Sequence, residues 1–258
     1  MKNLILMILL TSCSQIKPTQ KKMNVAFIHG SHLDSSSWNS VIGYMPRATR
    51  NFEALEFRDI PSYETTVTLK DISRHACTKL ASGRNILVVH SFGGAIAGRM
   101  LADCGDKIGA IIYVTAIIPN EGEEIFKQLS EKDQKHYEQA VNFEKDSIIP
   151  KDPLTFYKKF DSDIQSTSGL PRPLKEAYGP GVGKFFGNAT LFQQTPKYYI
   201  EAMNDQIIEA KSQEVFIKST NIDKVWQIKT GHLPMYSEPM KLSETIVKAL
   251  NIIDQSGL

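Results

Sequence analysis

A serine stands at a predicted turn between a buried strand and a helix. The apolar strand at residues 86–89 is followed by His-Ser-Phe-Gly-Gly at residues 90–94 and then by small residues up to about Asp103. A sharp turn of this kind exposes a serine hydroxyl at the end of a sheet and needs small neighbours where backbones approach closely. Ser91 is therefore the candidate nucleophile. Val89 departs from the G-x-S-x-G pattern, so its branched side chain must find room beside the turn.

An acid and a histidine follow Ser91 along the chain. Asp205 comes just after a predicted strand at residues 198–203, and His232 lies between the last predicted strand and the closing helix. The order serine, acid, histidine is one in which the strand-end loops of an open α/β sheet supply a catalytic triad. We expect His232 to act as the general base and Asp205 to orient it.

Two other carboxylates compete with Asp205 for this role. Asp223 begins a predicted strand, which directs it to the opposite end of the sheet, and Glu214 lies in the middle of a predicted helix, as is typical of surface charge. Asp205 is favoured because ligands and catalytic groups gather at the carboxyl ends of parallel strands.

The loop after the first predicted strand predicts an oxyanion hole. An apolar strand at residues 25–28 ends at His29, which is followed by a glycine and by Ser31. In a fold of this order the N–H of such a loop and the N–H after the nucleophile bind the developing oxyanion. Those donors are the N–H groups of Ser31 and Phe92, whereas His29 is expected only to brace the loop.

The surroundings of the candidate base are apolar. Leu233 and Met235 follow the histidine and predict an apolar rim for an uncharged part of a small substrate. No zinc-type cluster of histidines is present, and no G-x-G-x-x-G follows a strand, so no metal and no organic cofactor is implied. The formal net charge is only +2 and the basic residues are scattered, so nothing indicates a nucleic-acid partner.

Apolar strands alternate with helical patterns along the chain. Strands are predicted at 25–28, 52–57, 86–89, 108–114, 198–203 and 224–228, and helices at 69–80, from Ser91 to about Asp103, and at 239–253. This alternation predicts a single α/β domain over residues 23–258, with a mostly parallel sheet flanked by helices. Between about residues 119 and 195 this alternation of strands and helices is absent from the sequence, which predicts a mostly helical cap inserted before the acid-bearing strand.

These motifs together resemble a known family. The segments 25–31, 90–94, 199–205 and 231–239, with Trp38, resemble the methyl esterase and hydroxynitrile lyase group of the α/β-hydrolase superfamily. The resemblance covers about residues 23–253 and is weaker in the cap. It implies an α/β-hydrolase fold and a serine esterase that cleaves a small carboxylic ester through an acyl-enzyme. The implied triad is Ser91, Asp205 and His232, with Ser31 and Phe92 as oxyanion donors.

Other activities occur on the same fold. The lyases of the group have Thr after the loop histidine and Lys after the catalytic histidine, where this sequence has Gly30 and Leu233. Lyase chemistry is therefore disfavoured. A haloperoxidase-like enzyme without cofactor and a carbon–carbon bond hydrolase remain alternatives. A non-catalytic binding protein is a further alternative, but such proteins usually have an incomplete triad.

The amino-terminal residues are typical of an export signal. Seven apolar residues at positions 4–10 are too few to span a bilayer, and the sequence Leu-Thr-Ser-Cys that ends at Cys13 resembles a bacterial lipobox. We expect residues 1–12 to be removed, Cys13 to carry acyl chains, and residues 13–22 to form a polar tether. This predicts a protein anchored by lipid to a membrane of the bacterial cell envelope, facing the periplasm or the exterior. The alternatives are a leader without lipid and a start at Met23.

Cys77 and Cys104 lie in the predicted helices that flank the nucleophile strand. We expect two small buried side chains, since free cysteine behaves as a small apolar residue. A disulfide between them is the alternative in an oxidising envelope, provided that the fold brings the two sulfur atoms into bonding geometry.

Intact-mass analysis of the protein purified from bacterial membranes tests the predicted anchor. We expect a mature chain that begins at Cys13 and carries the added mass of several acyl chains, because one chain binds membranes only marginally. Cys13→Ser should abolish both the cleavage and the added mass. An unmodified chain that begins at Met1 or Met23 would contradict the prediction.

Overall fold

The computed structural model describes residues 23–47 and 50–256. The predicted signal peptide, Cys13 and the predicted tether therefore lie outside the described residues. Within those two ranges, no helix is both long enough and apolar enough to cross a bilayer.

A central parallel sheet organises the chain. The strands are β1 (Asn24–Ile28), β2 (Phe52–Ala54), β3 (Asn85–His90), β4 (Ile108–Val114), β5 (Val141–Phe143), β6 (Ser147–Pro150), β7 (Glu176–Ala177), β8 (Lys197–Ala202) and β9 (Lys224–Ile228). In the described part of the chain, six of them form one sheet in the order β2-β1-β3-β4-β8-β9, and every pairing in it is parallel. All residues of β3 and β4 are buried, because both faces of the sheet are covered.

Helices cover this sheet on both faces. They are α1 (Asn39–Gly43), α2 (Leu69–Lys79), α3 (Gly93–Cys104), α4 (Glu131–Glu138), α5 (Pro153–Phe160), α6 (Gly179–Val182), α7 (Ala189–Gln194), α8 (Ala210–Ser219), α9 (Pro234–Ser237) and α10 (Pro239–Gln255). α2 packs on α3, and α1 packs on α10. Because right-handed crossovers from β1 to β2 and from β3 to β4 run in opposite directions across the sheet, α1 and α3 lie on opposite faces.

The sequence-based elements agree with this architecture, apart from one strand. The predicted α/β-hydrolase fold is confirmed, and the helix expected at 69–80 is present as α2, with a capping box formed by Thr68 and Asp71. The second strand was predicted over 52–57 but ends at Ala54. Beyond Ala54 the N–H of Leu55 still donates to the carbonyl of Phe27 in β1 at 2.9 Å, and Phe57 then stacks on His29 with ring centroids 4.0 Å apart.

The cap contains more than helices. Besides α4 to α7, its described residues hold β5, β6 and β7, which form a three-stranded antiparallel sheet. The prediction of a mostly helical cap missed this sheet, because its strands are only two to four residues long. Alternation of apolar and polar residues cannot be recognised over so few positions.

Cys77 and Cys104 are joined by a disulfide, which corrects the expectation of two separate buried side chains. The bond connects α2 to the last residue of α3 and closes a loop with a sequence separation of 27. The two sulfur atoms meet because the helices pack side by side. The sequence placed both cysteines in helices but did not indicate that these helices are neighbours.

Peptide mapping and unfolding test this disulfide. A tryptic digest without reductant should yield residues 75–79 linked to residues 100–107, and the link should disappear after reduction. Loop-closure entropy predicts that the double substitution of both cysteines by Ser lowers the free energy of unfolding by about 3–4 kcal/mol. Urea titration measures this free energy for the double variant and for the unreduced wild-type chain under the same conditions. Recovery of the two peptides only as separate free thiols would contradict the assignment.

Candidate active site

Ser91 occupies the turn between β3 and α3 with a left-handed backbone. Its φ is 54°, a backbone conformation that residues other than glycine rarely adopt. Such a conformation persists only where the surrounding structure imposes it. The segment at the end of β4 helps to impose it here, because the N–H of Ser91 donates to the carbonyl of Val114 at 3.4 Å and the carbonyl of Ser91 accepts from the N–H of Ile117 at 3.1 Å. Val89 is fully buried and pairs with β1 and β4, so its branched side chain finds room in the sheet core.

The structure brings Ser91, His232 and Asp205 into one hydrogen-bonded chain. The Nδ1 of His232 lies 2.6 Å from Oδ2 of Asp205, and its Nε2 lies 2.9 Å from Oγ of Ser91. A carboxylate only accepts, so Nδ1 carries the proton and Nε2 is free to accept the proton of the serine hydroxyl. All three residues are buried.

Asp205 is held by several donors. Its Oδ1 accepts from the N–H groups of Ile207 at 2.7 Å and Ile208 at 2.9 Å. Its Oδ2 accepts from the hydroxyl of Thr115 as well as from His232. These donors fix the direction of the carboxylate toward the histidine. Sequence reasoning missed Thr115, although its position directly after β4, at the carboxyl end of a parallel strand, was an available signal.

The rival acids lie elsewhere. The carboxylate of Asp223 accepts from the N–H of Lys197 at 2.8 Å, at the start of β8 and therefore at the opposite end of the sheet. Glu214 lies in α8 and pairs with Lys218 at 2.6 Å on the protein surface. Both positions agree with the reasons for which Asp205 was preferred.

Two residues that line the cavity in front of Ser91 have a backbone N–H for which the described residues provide no acceptor. Ser31 and Phe92 both line the cavity in front of Ser91, and within the described residues nothing accepts a hydrogen bond from either N–H. Buried N–H groups are almost always paired, so an unpaired set beside a serine is suited to bind an oxygen of a ligand. The role of Ser31 and Phe92 as oxyanion donors stays a prediction.

Two other histidines brace the site. His29 donates from Nδ1 to the carbonyl of Gly30 and stacks on Phe57. His90 lies next to the nucleophile, and its Nε2–H donates to the carbonyl of His232 at 2.8 Å. Burial, assisted by the neighbouring His232, holds the pKa of His90 well below its usual value. His90 is therefore an uncharged support of the loop that carries the candidate base.

A cavity of about 190 Å³ opens in front of Ser91. Its walls are mostly aromatic and aliphatic, and the cap contributes most of them: Phe126, Leu129, Tyr137, Phe143, Phe160, Tyr178 and Val182. The charged lining residues are Glu124, Lys127 and Glu138. Lys127 is exposed and pairs with Glu124 at 2.9 Å, which places this charge at the mouth. The interior therefore favours an uncharged, apolar group.

Leu233 and Met235 do not form the apolar rim that the sequence predicted. Both side chains are fully buried in the core, and neither lines the cavity. The loop after His232 turns inward here, because its N–H groups are bound by residues of the cap. The apolar wall is instead supplied by the cap, whose aromatic residues sequence reasoning did not assign.

No metal site is formed by the described residues, since no group of three or more His, Cys, Asp or Glu side chains could hold a metal ion. The chemistry that the arrangement can perform is nucleophilic. It combines a serine hydroxyl, an imidazole oriented by a carboxylate, and two cavity-lining residues whose N–H groups have no acceptor among the described residues, which are the parts needed for acyl transfer.

Comparison with known proteins identifies relatives at low sequence identity. "Probable hydrolase R7" of Phoma sp. is 25% identical over 228 residues, which cover 84% of this chain and 88% of that protein. "Methylesterase 17" of Arabidopsis thaliana is 20% identical over 259 residues, with coverage of 91% and 94%. The chain spans only 40% to 55% of five longer proteins of that plant with chloroplastic methylesterase names.

Solved structures share the fold. The crystal structure of a pyrethroid hydrolase from Sphingobium faniae JZ-2 superposes with a TM-score of 0.75 at 21% identity, and covers 89% of this chain and 97% of that one. The model of the alpha/beta hydrolase family matches residues 25–245, which include β1, the turn at Ser91 and His232. The chain therefore belongs to the alpha/beta hydrolase family.

Proposed function

We propose that this protein is a serine hydrolase that cleaves a small, uncharged carboxylic ester. The observation that carries the proposal is the continuous chain from Ser91 Oγ through His232 to Asp205, at the floor of an apolar cavity. The relatives and the shared fold support a hydrolase, and several relatives carry esterase names. The nucleophile, base and acid are Ser91, His232 and Asp205 in this proposal.

The proposed reaction has two acyl-transfer steps. His232 Nε2 takes the proton of Ser91 as Oγ attacks the ester carbonyl, and the N–H groups of Ser31 and Phe92 bind the oxyanion. The imidazolium then protonates the leaving alcohol, which departs and leaves an acyl-enzyme. Water attacks the acyl-enzyme with the same base, and the carboxylic acid is released. Asp205 stabilises the imidazolium in both steps and is not itself protonated.

Substitution of the triad tests this assignment. Ser91→Ala should lower kcat/KM for p-nitrophenyl esters by on the order of 10³-fold or more, because it removes the nucleophile but no core contact. Asp205→Asn should be comparably damaging, since it disturbs the tautomer of His232. The assay is a panel of acyl lengths with purified protein.

The control is Asp223→Asn, which makes the same chemical change at the rival acid. It should leave kcat/KM within about 3-fold, because Asp223 lies at the far end of the sheet. Near-native activity of Ser91→Ala on every hydrolysed ester would overturn the nucleophile, and a loss confined to Asp223→Asn would overturn the acid.

Two features argue against lyase chemistry. A Cβ at Gly30 would lie 2.7 Å from Cβ of Ser91, so the loop has no space for the threonine of the lyases. Leu233 carries no charge and is buried, so it cannot assist a departing cyanide. Among the described residues that line the cavity, Lys127 is the one cation, and it is paired with Glu124 at the mouth.

We therefore expect hydrolysis of a short-chain aryl ester and no useful cleavage of mandelonitrile. The two substrates should be assayed side by side, with correction for spontaneous decay and with Ser91→Ala as the blank. Rapid cyanide release that depends on Ser91, with the ester untouched, would replace the esterase proposal by a lyase.

We also propose that the enzyme is anchored by lipid at Cys13 in the bacterial cell envelope. The leader and lipobox-like sequence support this location. The disulfide between Cys77 and Cys104 supports it independently, because such bonds persist in oxidising compartments and are rare in the reducing cytosol.

A further inference from the structure

Among the described residues of the cap, three buried carboxylates bind the loops that carry the proposed catalytic groups. They are Asp133, Asp161 and Glu176, which are 0%, 1% and 8% exposed. None of them lines the cavity in front of Ser91. A buried carboxylate is costly unless hydrogen bonds satisfy it, so the partners of each one are informative.

Asp161 binds the loop of the candidate base. Its Oδ2 accepts from the N–H of Leu233 at 3.3 Å and from the hydroxyl of Ser237 at 2.9 Å. The preceding carbonyl, that of Phe160, accepts from the N–H of His232 at 3.0 Å. Burial raises the pKa of Asp161, which is the expected cost of placing the group there. The backbone on both sides of the His232 side chain is therefore bound to the cap.

Asp133 binds the loop of the candidate acid. Its Oδ1 accepts from the N–H of Glu209 at 3.2 Å, and its Oδ2 accepts from the hydroxyl of Ser212. Glu209 directly follows Ile208, whose N–H donates to Asp205. The segment 207–209 therefore binds Asp205 at its beginning and is hydrogen-bonded to the cap at Glu209.

Glu176 binds the loop of the candidate oxyanion donor. Its Oε2 accepts from the N–H of His32, the residue after Ser31, at 3.0 Å. The His32 side chain makes two hydrogen bonds with the cap, from Nδ1 to the carbonyl of Leu174 at 2.9 Å and between Nε2 and the hydroxyl of Tyr137 at 2.6 Å. His32 has a positive φ of 63°, so the loop needs such contacts to keep its shape.

We propose that Asp133, Asp161 and Glu176 are positioning residues, through which the cap holds the base, the acid and an oxyanion donor in their reactive arrangement. The cap therefore assembles the site as well as lining it. This inference rests on the proposed serine hydrolase function. It follows from the contacts because each carboxylate accepts a backbone N–H from a different catalytic loop. None lines the cavity in front of Ser91, although Glu176 lines a smaller cavity beside it with Ser31 and Phe92.

The test separates positioning from substrate binding. Asp133→Asn, Asp161→Asn and Glu176→Gln each replace an accepting oxygen by an amide nitrogen. Each should lower kcat for the best p-nitrophenyl ester by about 10-fold or more, because small displacements of reacting groups are costly, while KM changes by less than about 3-fold. The rate at which a small p-nitrophenyl phosphonate labels Ser91 should fall in parallel.

The matched control is Asp152→Asn, an exposed cap residue whose carboxylate accepts from Thr155 N–H at the start of α5. It binds no catalytic loop and should leave kcat and the labelling rate unchanged. Circular dichroism and thermal unfolding should show all four variants folded. Should the carboxylate variants not fold, Ser237→Ala and Ser212→Ala remove a loop-side donor instead, and we expect kcat to fall about 2- to 5-fold at constant KM.

A double-mutant cycle completes the design. Asp161→Asn combined with Ser237→Ala should be less than multiplicative in kcat, because both changes break one contact, whereas Asp161→Asn combined with Ser212→Ala should be multiplicative. Unchanged kcat and labelling in the folded carboxylate variants, or a change confined to KM, would overturn this inference while leaving the triad intact. Absence of Ser91-dependent hydrolysis and labelling in the wild-type protein would instead overturn the proposed function.

Discussion

The left-handed backbone of Ser91 is the constraint on which the candidate site depends. A φ of 54° is unfavourable for serine, and it is maintained because β3 is buried along its whole length and α3 begins two residues later. The turn places the hydroxyl of Ser91 2.9 Å from Nε2 of His232. Phe92 lines the cavity, and in the part of the chain that the structure describes nothing accepts a hydrogen bond from its N–H. The free energy that packs the sheet core thus maintains a local conformation that the turn would not adopt alone.

The parallel sheet converts this turn into a site. Because all strands of the central sheet run in one direction, the loops after β1, β3, β8 and β9 meet at one edge. These loops carry Ser31, Ser91, Asp205 and His232, which are up to about two hundred residues apart in sequence. Sheet register sets their separation, and hydrogen bonds of 2.6 Å and 2.9 Å then connect the three triad side chains.

The cap determines the environment in which these groups act. Its aromatic residues surround the cavity, and its charged residues lie toward the mouth, so the hydroxyl and imidazole face an apolar interior. Electrostatic interactions are stronger where water is excluded, which benefits both the pair of Asp205 and His232 and the unpaired N–H groups. The same cap also hydrogen-bonds to the loops after β8, β9 and β1 through Asp133, Asp161 and Glu176.

The sequence by itself determined the local elements and their order. Runs of apolar residues predicted the strands, and the small residues after Ser91 predicted the sharp turn. The place of Asp205 just after a strand favoured it over Asp223, which begins one. Each of these signals extends over a few neighbouring residues, or depends only on order along the chain. Such patterns can be recognised in the sequence without knowing which elements pack together.

Only the tertiary structure decided which distant residues meet. The disulfide between Cys77 and Cys104, the bond from Thr115 to Asp205, and the cap sheet all depend on packing between remote segments. The same is true of Leu233, which is apolar and adjacent to His232 in sequence but is turned into the core. The chemistry of a side chain limits which partners it can bind. Which of those partners it meets depends on long-range packing, because burial and hydrogen-bond satisfaction are properties of the whole fold.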